Sequence, residues 1–593
     1  MKKFTMFSSV LASALMLMVA SCSSEDVTGG DSQNDKGATS FLAVNIENVG
    51  SAPASRSYDQ GGGTYEDGIG TESTINKVRF YFFNGDGTPY LLVNNDPTNN
   101  QSVNYLDQTV ETAGDDHDHT AEIKTKAVLV LNGETKAVPA SVIAVINPDV
   151  LDNTTLHSGT MTLSELRTTA TGSKFNDKTN GFVMSNSVYE SAGQDVCSTP
   201  VANNVFATSD AALQKPVDIY VERVNAKVNA KIDADYQRTG ETEKAWTTNA
   251  EGKYQIKVGS IDVTTYDDEN TNAIPTKNTY PVYAVVQGWQ LADADGKAEL
   301  CKQINTSWYA GELGISPWTT SDYHRCFWSK SVPFTTGAVE GANHPVNPKF
   351  KDITLSLSKE FSANPVYTLP NTPDKVVTNP KTSNNTLTKL IVAAKLVYLD
   401  KDGKYKPAQV CQYRGLTYLG EEAVKKQIVG GFVRYFKKSG DVYKSIEASD
   451  IAFKTVPGSS SVKDYEVVAT LASTVGDLYV KNGETWTIVP NKDVNAALAK
   501  EEAQVRSTDG DTYYYTPIKH LGTAGYLGEY GIVRNHSYQV TIQNIQGFGT
   551  PVYNPDQEID PMIPSDDNTY LAASIKVLSW RVVSSKVDLD QTK

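Results

Sequence analysis

The stretch Val78-Arg79-Phe80-Tyr81-Phe82-Phe83, followed by Asn84-Gly85-Asp86-Gly87, decides the fold class of this chain. A run of aromatic and β-branched residues that stops at Asn, Gly and Asp is typical of a strand entering a hairpin turn. The same pattern recurs along the sequence and predicts further strands at residues 127–131, 141–146, 217–232, 388–397, 464–471 and 538–545. The sequence therefore predicts an all-β protein made of antiparallel β-sandwiches.

Helical periodicity is sparse, and it predicts only short helices at residues 162–169, 421–428 and 494–506. Lys215-Pro216 interrupts the pattern just before a long apolar run. This break predicts a smaller N-terminal sandwich, residues 57–216, and a larger C-terminal sandwich, residues 217–593.

The N-terminus has the pattern of an export signal. Lys2 and Lys3 precede an apolar run that ends at Ala20 and is too short to span a membrane. Val19-Ala20-Ser21-Cys22 then places small residues before a cysteine, which is the pattern of a lipobox. We expect residues 1–21 to be removed and Cys22 to carry the lipid. The alternative is an ordinary signal peptide beside a chance cysteine.

Composition narrows the range of partners. The 593 residues carry a formal net charge of −15 and contain no basic stripe, which argues against nucleic acid or an anionic membrane surface as the main partner. The internal cysteines, Cys197, Cys301, Cys326 and Cys411, are widely spaced and form no zinc-type pair. Their redox state stays open.

Motifs for catalysis or metal binding are weak. Asp115-Asp116-His117-Asp118-His119 could hold a divalent cation, but a solvated acidic loop is favoured. Asp400-Lys401-Asp402-Gly403-Lys404 lacks the later Glu of a calcium loop and fits a hairpin turn. His324 and Cys326 lie among tryptophans that indicate packing. The sequence therefore predicts no enzyme, no cofactor and no metal site.

The segment before the first sandwich combines a strand with a protease-sensitive loop. Leu42, Val44 and Ile46 alternate with other residues, so they share one face of a strand that would lie in a groove of that sandwich. The next stretch is small and Gly-rich, and Arg56 is its only Arg or Lys between Lys36 and Lys77. A trypsin-like protease would cut between Arg56 and Ser57. The alternative is an uncut loop with a solvated arginine.

Several sequence motifs, taken in the order in which they occur, resemble those of a known protein family. They are residues 181–187 (GFVMSNS), 220–228 (YVERVNAKV), 321–328 (SDYHRCFW), 533–538 (VRNHSY), 575–580 (IKVLSW) and 587–589 (VDL). In this order the chain resembles the Bacteroidales fimbrilins of the minor-fimbrium major-subunit type, which build type V pili. The resemblance spans nearly the whole chain, which departs from it in the four residues after Leu589.

The resemblance implies two transthyretin-like β-sandwiches, export to the outer membrane as a lipoprotein, and proteolytic removal of residues 22–56. It further implies polymerisation by strand exchange into a surface fimbria that supports adhesion and biofilm formation. The implied partners are other copies of the chain, anchor and tip subunits, an Arg-specific or trypsin-like protease, and host or bacterial surface receptors.

The C-terminal segment, residues 570–593, is the best candidate for the exchanged strand. Its apolar residues alternate, with a change of parity near Ser579 that suggests a bulge or two strand segments. The candidate donor residues are Leu571, Ala573, Ile575, Val577, Trp580, Val583, Val587 and Leu589. The alternative is that this strand completes its own C-terminal sandwich.

Two other functions stay open at this stage. A tip or accessory fimbrial adhesin would need no donor strand of its own. A surface glycan-binding lipoprotein would keep its tether and stay monomeric. Neither the receptor nor the protease follows from the sequence.

Overall fold

The computed structural model describes most of the chain between residues 39 and 584. The described ranges are 39–48, 72, 74–96, 100–109, 124–151, 156, 159–169, 174–177, 181–191, 194–265, 276–303, 330–332, 345–378, 387–457, 463–520, 524–525, 527–559, 561, 570–579 and 582–584. Strands dominate these ranges and helices are few and short, so the all-β prediction is confirmed.

The described residues of the N-terminal region form thirteen strands. They are β1 (Ser40–Asn48), β2 (Lys77–Phe83), β3 (Tyr105–Thr109), β4 (Lys124–Leu131), β5 (Ser141–Ile146), β6 (Asn176–Asp177), β7 (Gly181–Phe182), β8 (Met184–Asn186), β9 (Tyr189–Ser191), β10 (Gln194–Val196), β11 (Thr199–Pro200), β12 (Val205–Phe206) and β13 (Val217–Arg223). Two helices, α1 (Leu163–Thr168) and α2 (Ser209–Leu213), accompany them.

Nine of these strands form one sheet in the order β12-β1-β13-β8-β5-β2-β3, with β4 added beside β1 and β11 beside β5. One face of the sheet surrounds a core that includes Phe80, Phe82 and Ile219. The other face contributes Tyr81 and Val145 to a second core. Alternating residues of one strand thus enter different cores, as the period of two requires.

Helix α1 confirms the helix predicted at residues 162–169. The Thr162 hydroxyl accepts a hydrogen bond from the backbone N–H of Glu165 at 3.2 Å. In return the Glu165 carboxylate accepts from the backbone N–H of Thr162 at 2.8 Å. This capping box satisfies two donors that the first turn of a helix otherwise leaves unpaired.

The chain passes from the N-terminal to the C-terminal sheet later than the sequence predicts. Strand β13 pairs with β1 and β8 of the N-terminal sheet, whereas β14 (Ala226–Ile232) pairs with a C-terminal strand. The crossing therefore lies at Val224 and Asn225, beyond Lys215-Pro216. The predicted single strand 217–232 is two strands, because its buried positions change from odd to even numbers at this point.

In the part that the structure describes, the C-terminal sandwich has fourteen strands. They are β14, β15 (Trp246–Thr248), β16 (Tyr254–Thr265), β17 (Thr276–Ala292), β18 (Ala294–Asp295), β19 (Pro345–Val346), β20 (Val366–Thr368), β21 (Lys389–Leu399), β22 (Tyr405–Pro407), β32 (Asp511–Pro517), β33 (His536–Gln546), β34 (Thr550–Pro551), β35 (Tyr570–Ser579) and β36 (Val582–Ser584).

Two sheets of this region enclose the largest core. One has the order β20-β14-β33-β35-β36, and the other β15-β16-β17-β21-β32-β34 with β22 beside β21. Val228, Val392 and Val540 pack between them. Strand β21 is buried on both faces, since Ile391 and Ala393 enter a separate small core on the outer side.

An additional domain is inserted between β22 and β32, which the sequence analysis did not separate from the C-terminal sandwich. Residues 411–505 have a core of their own around Val424, Val467 and Leu478. Its strands are β23 (Val410–Tyr413), β24 (Leu416–Leu419), β25 (Phe436–Ser439), β26 (Val442–Ser445), β27 (Ile451–Thr455), β28 (Glu466–Leu471), β29 (Leu478–Asn482), β30 (Thr485–Val489) and β31 (Glu502–Gln504). We call residues 411–505 the inserted domain.

The inserted domain also contains α3 (Glu421–Gly430) and α4 (Asn491–Leu498). Helix α3 confirms the prediction at 421–428. The helix predicted at 494–506 is only half right, because α4 ends at Leu498 and residues 502–504 instead form β31, which pairs with β28 and β23. Single 3-10 turns occur at Pro148–Val150, Ala202–Asn204, Phe350–Asp352, Ala448–Asp450 and Leu527–Glu529.

Buried polar groups fix the N-terminal sheet to the C-terminal sandwich. The Lys227 ammonium lies 3.0 Å from the Glu72 carboxylate, and both side chains are almost fully buried. The Tyr367 hydroxyl donates to the same carboxylate at 2.6 Å. The Arg223 guanidinium donates to the Glu72 carbonyl at 2.7 Å and to the Asn535 amide oxygen at 3.1 Å. We call these five residues the junction cluster.

The junction cluster predicts the effect of Glu72→Ala. The substitution leaves the Lys227 charge buried without its carboxylate, so the free energy of unfolding should fall by about 3–5 kcal/mol. Urea unfolding measures this loss. The matched control is Asp235→Ala, which breaks the exposed pair with Lys244 and should leave the free energy of unfolding nearly unchanged. Equal effects of the two substitutions would show that the junction cluster does not stabilise the fold.

Candidate functional site

Strand β1 lies inside the N-terminal sheet and is paired along both edges. On one edge it runs antiparallel to β4, from Ser40 opposite Leu131 to Glu47 opposite Lys124. On the other edge Leu42 pairs with β12, and residues from Val44 onward run parallel to β13. An N-terminal strand is thus an interior strand of its sheet.

The described apolar side chains of β1 at Leu42 and Val44 point into the core of the N-terminal region. Leu42 is 0% exposed and Val44 is 1% exposed, and both join the core that also contains Leu129, Leu131 and Ile219. Fully burying such side chains contributes about 1.5–3 kcal/mol each. The backbone of Ile46 pairs with Thr125 and Ile219, while its side chain is outside the described part of the structure.

Strand β4 is joined to the N-terminal sheet through its pairing with β1. Within the described strands, β1 is the only one whose ladder includes β4. Removal of β1 would leave the N–H and C=O groups of β4 on one side, and those of β12 and β13 on the other, facing an open groove. Buried backbone groups without partners are costly, so such a groove requires another strand.

The maturation and lipidation residues lie outside the described residues: Cys22, Arg56 and Ser57. The structure describes the two points between which the Arg56 segment runs. Strand β1 ends at Asn48, and the chain is described again at Glu72, which is fixed in the junction cluster. A cut between these points would separate β1 covalently from the rest of the N-terminal sheet.

The C-terminal segment forms two strand segments, as the parity change near Ser579 suggested. Strand β35 contains Leu571, Ala573, Ile575 and Val577, and it pairs antiparallel with β33 of the same chain. Strand β36 folds back on β35, with Val583 opposite Val577. In the monomer β35 therefore completes its own sandwich, which is the alternative left open by the sequence. Trp580, Val587 and Leu589 lie outside the described residues.

The other sequence candidates add no second site to the described structure. Asp400–Lys404 is a hairpin turn in which the Asp400 carboxylate accepts from the backbone N–H groups of residues 402 and 404. The described residues contain no group of three or more His, Cys, Asp or Glu arranged to hold a metal ion. Residues 115–119, His324 and Cys326 lie outside the described ranges. No helix that the structure describes is long and apolar enough to span a membrane.

The last part of the chain matches a known protein family. The family described as major fimbrial subunit protein type IV, fimbrillin, C-terminal, matches residues 507–586, which include β32, β33 and β35. Residues 507–586 are thus similar to the C-terminal part of fimbrillins of this type. The match covers strands of the C-terminal sandwich and does not extend to the N-terminal sheet.

Solved structures give weaker likenesses. A candidate cell adhesion protein from Parabacteroides distasonis has 12% identity and a TM-score of 0.35, over 92% of this chain and 99% of that one. The tip fimbrial protein Mfa3 from Porphyromonas gingivalis, with C-terminal truncation, has 9% identity and a TM-score of 0.30, over 91% and 99%. We use these only as likenesses. No curated protein matches the chain.

The interior position of β1 predicts the effect of Leu42→Ala in the uncleaved protein. Deleting a buried leucine side chain should lower the free energy of unfolding by about 2–5 kcal/mol, measured by urea denaturation. The control is Val130→Ala on β4, where the side chain is 46% exposed and truncation should cost about 0.5 kcal/mol or less. A Leu42→Ala protein as stable as the control would contradict the observed burial of β1.

Proposed function

We propose that this protein is a Bacteroidales fimbrilin, that it is the shaft subunit of a surface fimbria, and that it polymerises by donor-strand exchange. The observation that carries the proposal is the pairing of β1 on both edges, because its sheet then needs a strand at this position even if a cut detaches the N-terminal segment. A subunit that loses β1 must receive a strand from elsewhere, and a second copy of the same chain is the simplest source.

The first step of the proposal is export as a lipoprotein. The lipobox at Cys22 would attach the precursor to the outer membrane, with residues 22–39 as a polar tether before β1. The precursor would stay monomeric because β1 occupies the groove.

The second step is cleavage between Arg56 and Ser57 by an Arg-specific or trypsin-like protease. Cleavage would turn β1 from part of the chain into a bound peptide, held by nine residues of ladder and by the burial of Leu42 and Val44. A bound peptide can dissociate, whereas a covalently linked strand returns to the groove at once. The cut therefore makes the groove available to a competitor.

The third step is insertion of a donor strand from the next subunit. Because β35 already pairs with β33, we assign the exchanged part to the residues after Ser579. Strand β36 pairs with only Lys576, Val577 and Leu578. Its release therefore breaks only a short ladder at the edge of the sheet. Residues 580–593 exceed the nine residues of β1 in length.

The donor segment also has the required pattern. Val583, Val587 and Leu589 share one strand face by the period of two, as Leu42, Val44 and Ile46 do in β1. Trp580 adds a large apolar side chain at the start of the segment. Burying the three side chains of the shared face would contribute about 4.5–9 kcal/mol gross. A donor segment of its own favours a shaft position over a tip position, and the resulting fibre would support adhesion and biofilm formation.

Arg56→Ala should block maturation. The variant should reach the surface, keep residues 22–56 and stay monomeric, because the covalently linked β1 fills the groove. The wild-type protein should have Ser57 as its mature N-terminus and give an SDS-resistant ladder, and N-terminal sequencing with SDS gels checks both. Lys36→Ala, which removes the neighbouring basic residue on the other side of β1, is the control and should polymerise. Fibres of the Arg56→Ala protein would show that another event opens the groove.

Removal of residues 580–593 should abolish elongation and leave the fold intact. The truncated subunit should unfold at nearly the wild-type urea concentration, accept a strand from an intact neighbour, and shorten fibres when co-expressed. If it instead unfolds as a monomer, the segment belongs to its own core and the donor lies elsewhere.

A point substitution tests whether polymerisation requires the apolar face of the donor segment and not only the presence of the segment. Val587→Asp would place a carboxylate on the groove floor at a cost of several kcal/mol in the fibre, with almost none in the monomer. Lys586→Asp introduces the same group on the opposite face and is the matched control.

A further inference from the structure

Two cysteines from distant parts of the chain meet in one core. Cys197 lies between β10 and β11 in the N-terminal region, and Cys301 lies after β18 in the C-terminal region. The side chains are 3% and 1% exposed and belong to the same hydrophobic cluster. Their thiols form a hydrogen bond with each other, and both are reduced in this structure.

The backbone around Cys301 is fixed by the N-terminal region. The N–H of Leu300 donates to the Thr169 carbonyl at 2.8 Å, and the N–H of Cys301 donates to the Arg167 carbonyl at 3.4 Å. The Ser185 hydroxyl donates to the Leu300 carbonyl at 2.6 Å. A segment of the C-terminal region is therefore bound to the N-terminal region at the position of the cysteine pair.

Charged groups fix the same segment from its two ends. The Lys302 ammonium lies 2.8 Å from the Glu222 carboxylate, and each side chain is 1% exposed. The Arg534 guanidinium donates to the carbonyls of Leu300 and Glu299 at 2.9 and 2.6 Å. The Cys301 segment cannot move away without breaking these buried contacts, so the fold keeps Cys301 in the core that also contains Cys197.

We propose that Cys197 and Cys301 form a disulfide in the exported fimbrilin, which links the N-terminal sheet covalently to the C-terminal region. The inference rests on the proposed export, because disulfides persist in oxidising compartments and not in the cytosol. In a fibre under tension, this bond would hold the two regions together even where the non-covalent contacts open.

The reaction needs an oxidant, which we take to be the disulfide of a thiol oxidoreductase in the export compartment. One cysteine thiolate attacks a sulfur of that disulfide and displaces the other sulfur as a thiolate. The second cysteine thiolate then attacks the mixed disulfide and releases the first sulfur of the oxidant. The two cysteines lose two electrons and two protons, and the oxidant becomes a dithiol.

The bond should form before the core closes. The hydrogen bond from Cys197 and burial both raise the pKa of the Cys301 thiol, so the folded protein holds little of the reactive thiolate. Burial also keeps an enzyme away from both sulfur atoms. Oxidation is therefore expected during folding, and the folded reduced protein should react slowly.

Mass spectrometry of trapped thiols tests the proposal. Fimbrilin extracted from the cell surface, and the chain without residues 1–21 refolded in a glutathione redox buffer, are each denatured with iodoacetamide and no reductant. We expect tryptic peptides 179–223 and 298–302 to be joined, and Cys411 to be alkylated. Cys411 is the internal control, because it is buried in the separate core of the inserted domain.

The gel migration of cysteine variants, with and without reductant, provides a second test. Wild-type protein should migrate faster without reductant than with it, Cys301→Ala should lose this shift, and Cys411→Ala should keep it. Alkylation of both Cys197 and Cys301 in the two preparations, or a link from either to Cys326, would overturn the proposal. A 197–301 link in the refolded chain, with no protein at the cell surface, would support the disulfide and count against the proposed export.

Discussion

The pairing of a strand on both edges is the constraint on which this structure depends. Strand β1 supplies backbone donors and acceptors to β4 on one side and to β12 and β13 on the other. These groups lie in the interior of a sheet, where an unpaired N–H or C=O costs free energy comparable to a lost hydrogen bond. The N-terminal sheet can therefore exist with β1 or with a replacement, and an empty position is unstable. The proposed strand exchange would use this instability as its driving force.

The junction cluster explains how one strand could leave without loss of the rest. Glu72 follows the Arg56 segment and is held by Lys227, Tyr367 and Arg223. Strand β13 keeps its ladder with β8. A cut in the preceding segment would thus release β1 alone, because the chain that follows is fixed between the two regions by buried charges. The junction cluster would keep the rest of the subunit in place while β1 leaves.

Local sequence patterns were sufficient to predict individual strands and helix α1. Residues 141–146 were predicted from their apolar run and are β5, and the capping pair Thr162 and Glu165 accounts for the predicted helix α1. The inward face of β1 was also predictable, since Leu42 and Val44 alternate. The change of parity between Val221 and Ala226 is the signal that would have located the crossing between the sheets.

Pairing partners were not predictable in the same way. The alternation of β35 is the same whether it pairs with β33 of its own chain or enters a groove of another chain. The pattern indicates which side chains share a face of the strand, but it does not indicate which strand lies beside it. The dependence of β4 on β1 is likewise a property of tertiary pairing. The inserted domain was missed because its short hairpins resemble loops of the C-terminal sandwich, although the apolar residues Val424 and Val494 of its two helices share one core.

The most direct test of strand exchange is a cryo-electron microscopy map of native fimbriae that resolves side chains. Our account predicts that the strand between β4 and β13 has the sequence of the residues after Ser579, and that it belongs to the adjacent subunit. The map should then show no density for Leu42 and Val44 at this position. If the strand there is residues 40–48 of the same chain, the subunits join by another contact and the central claim is wrong.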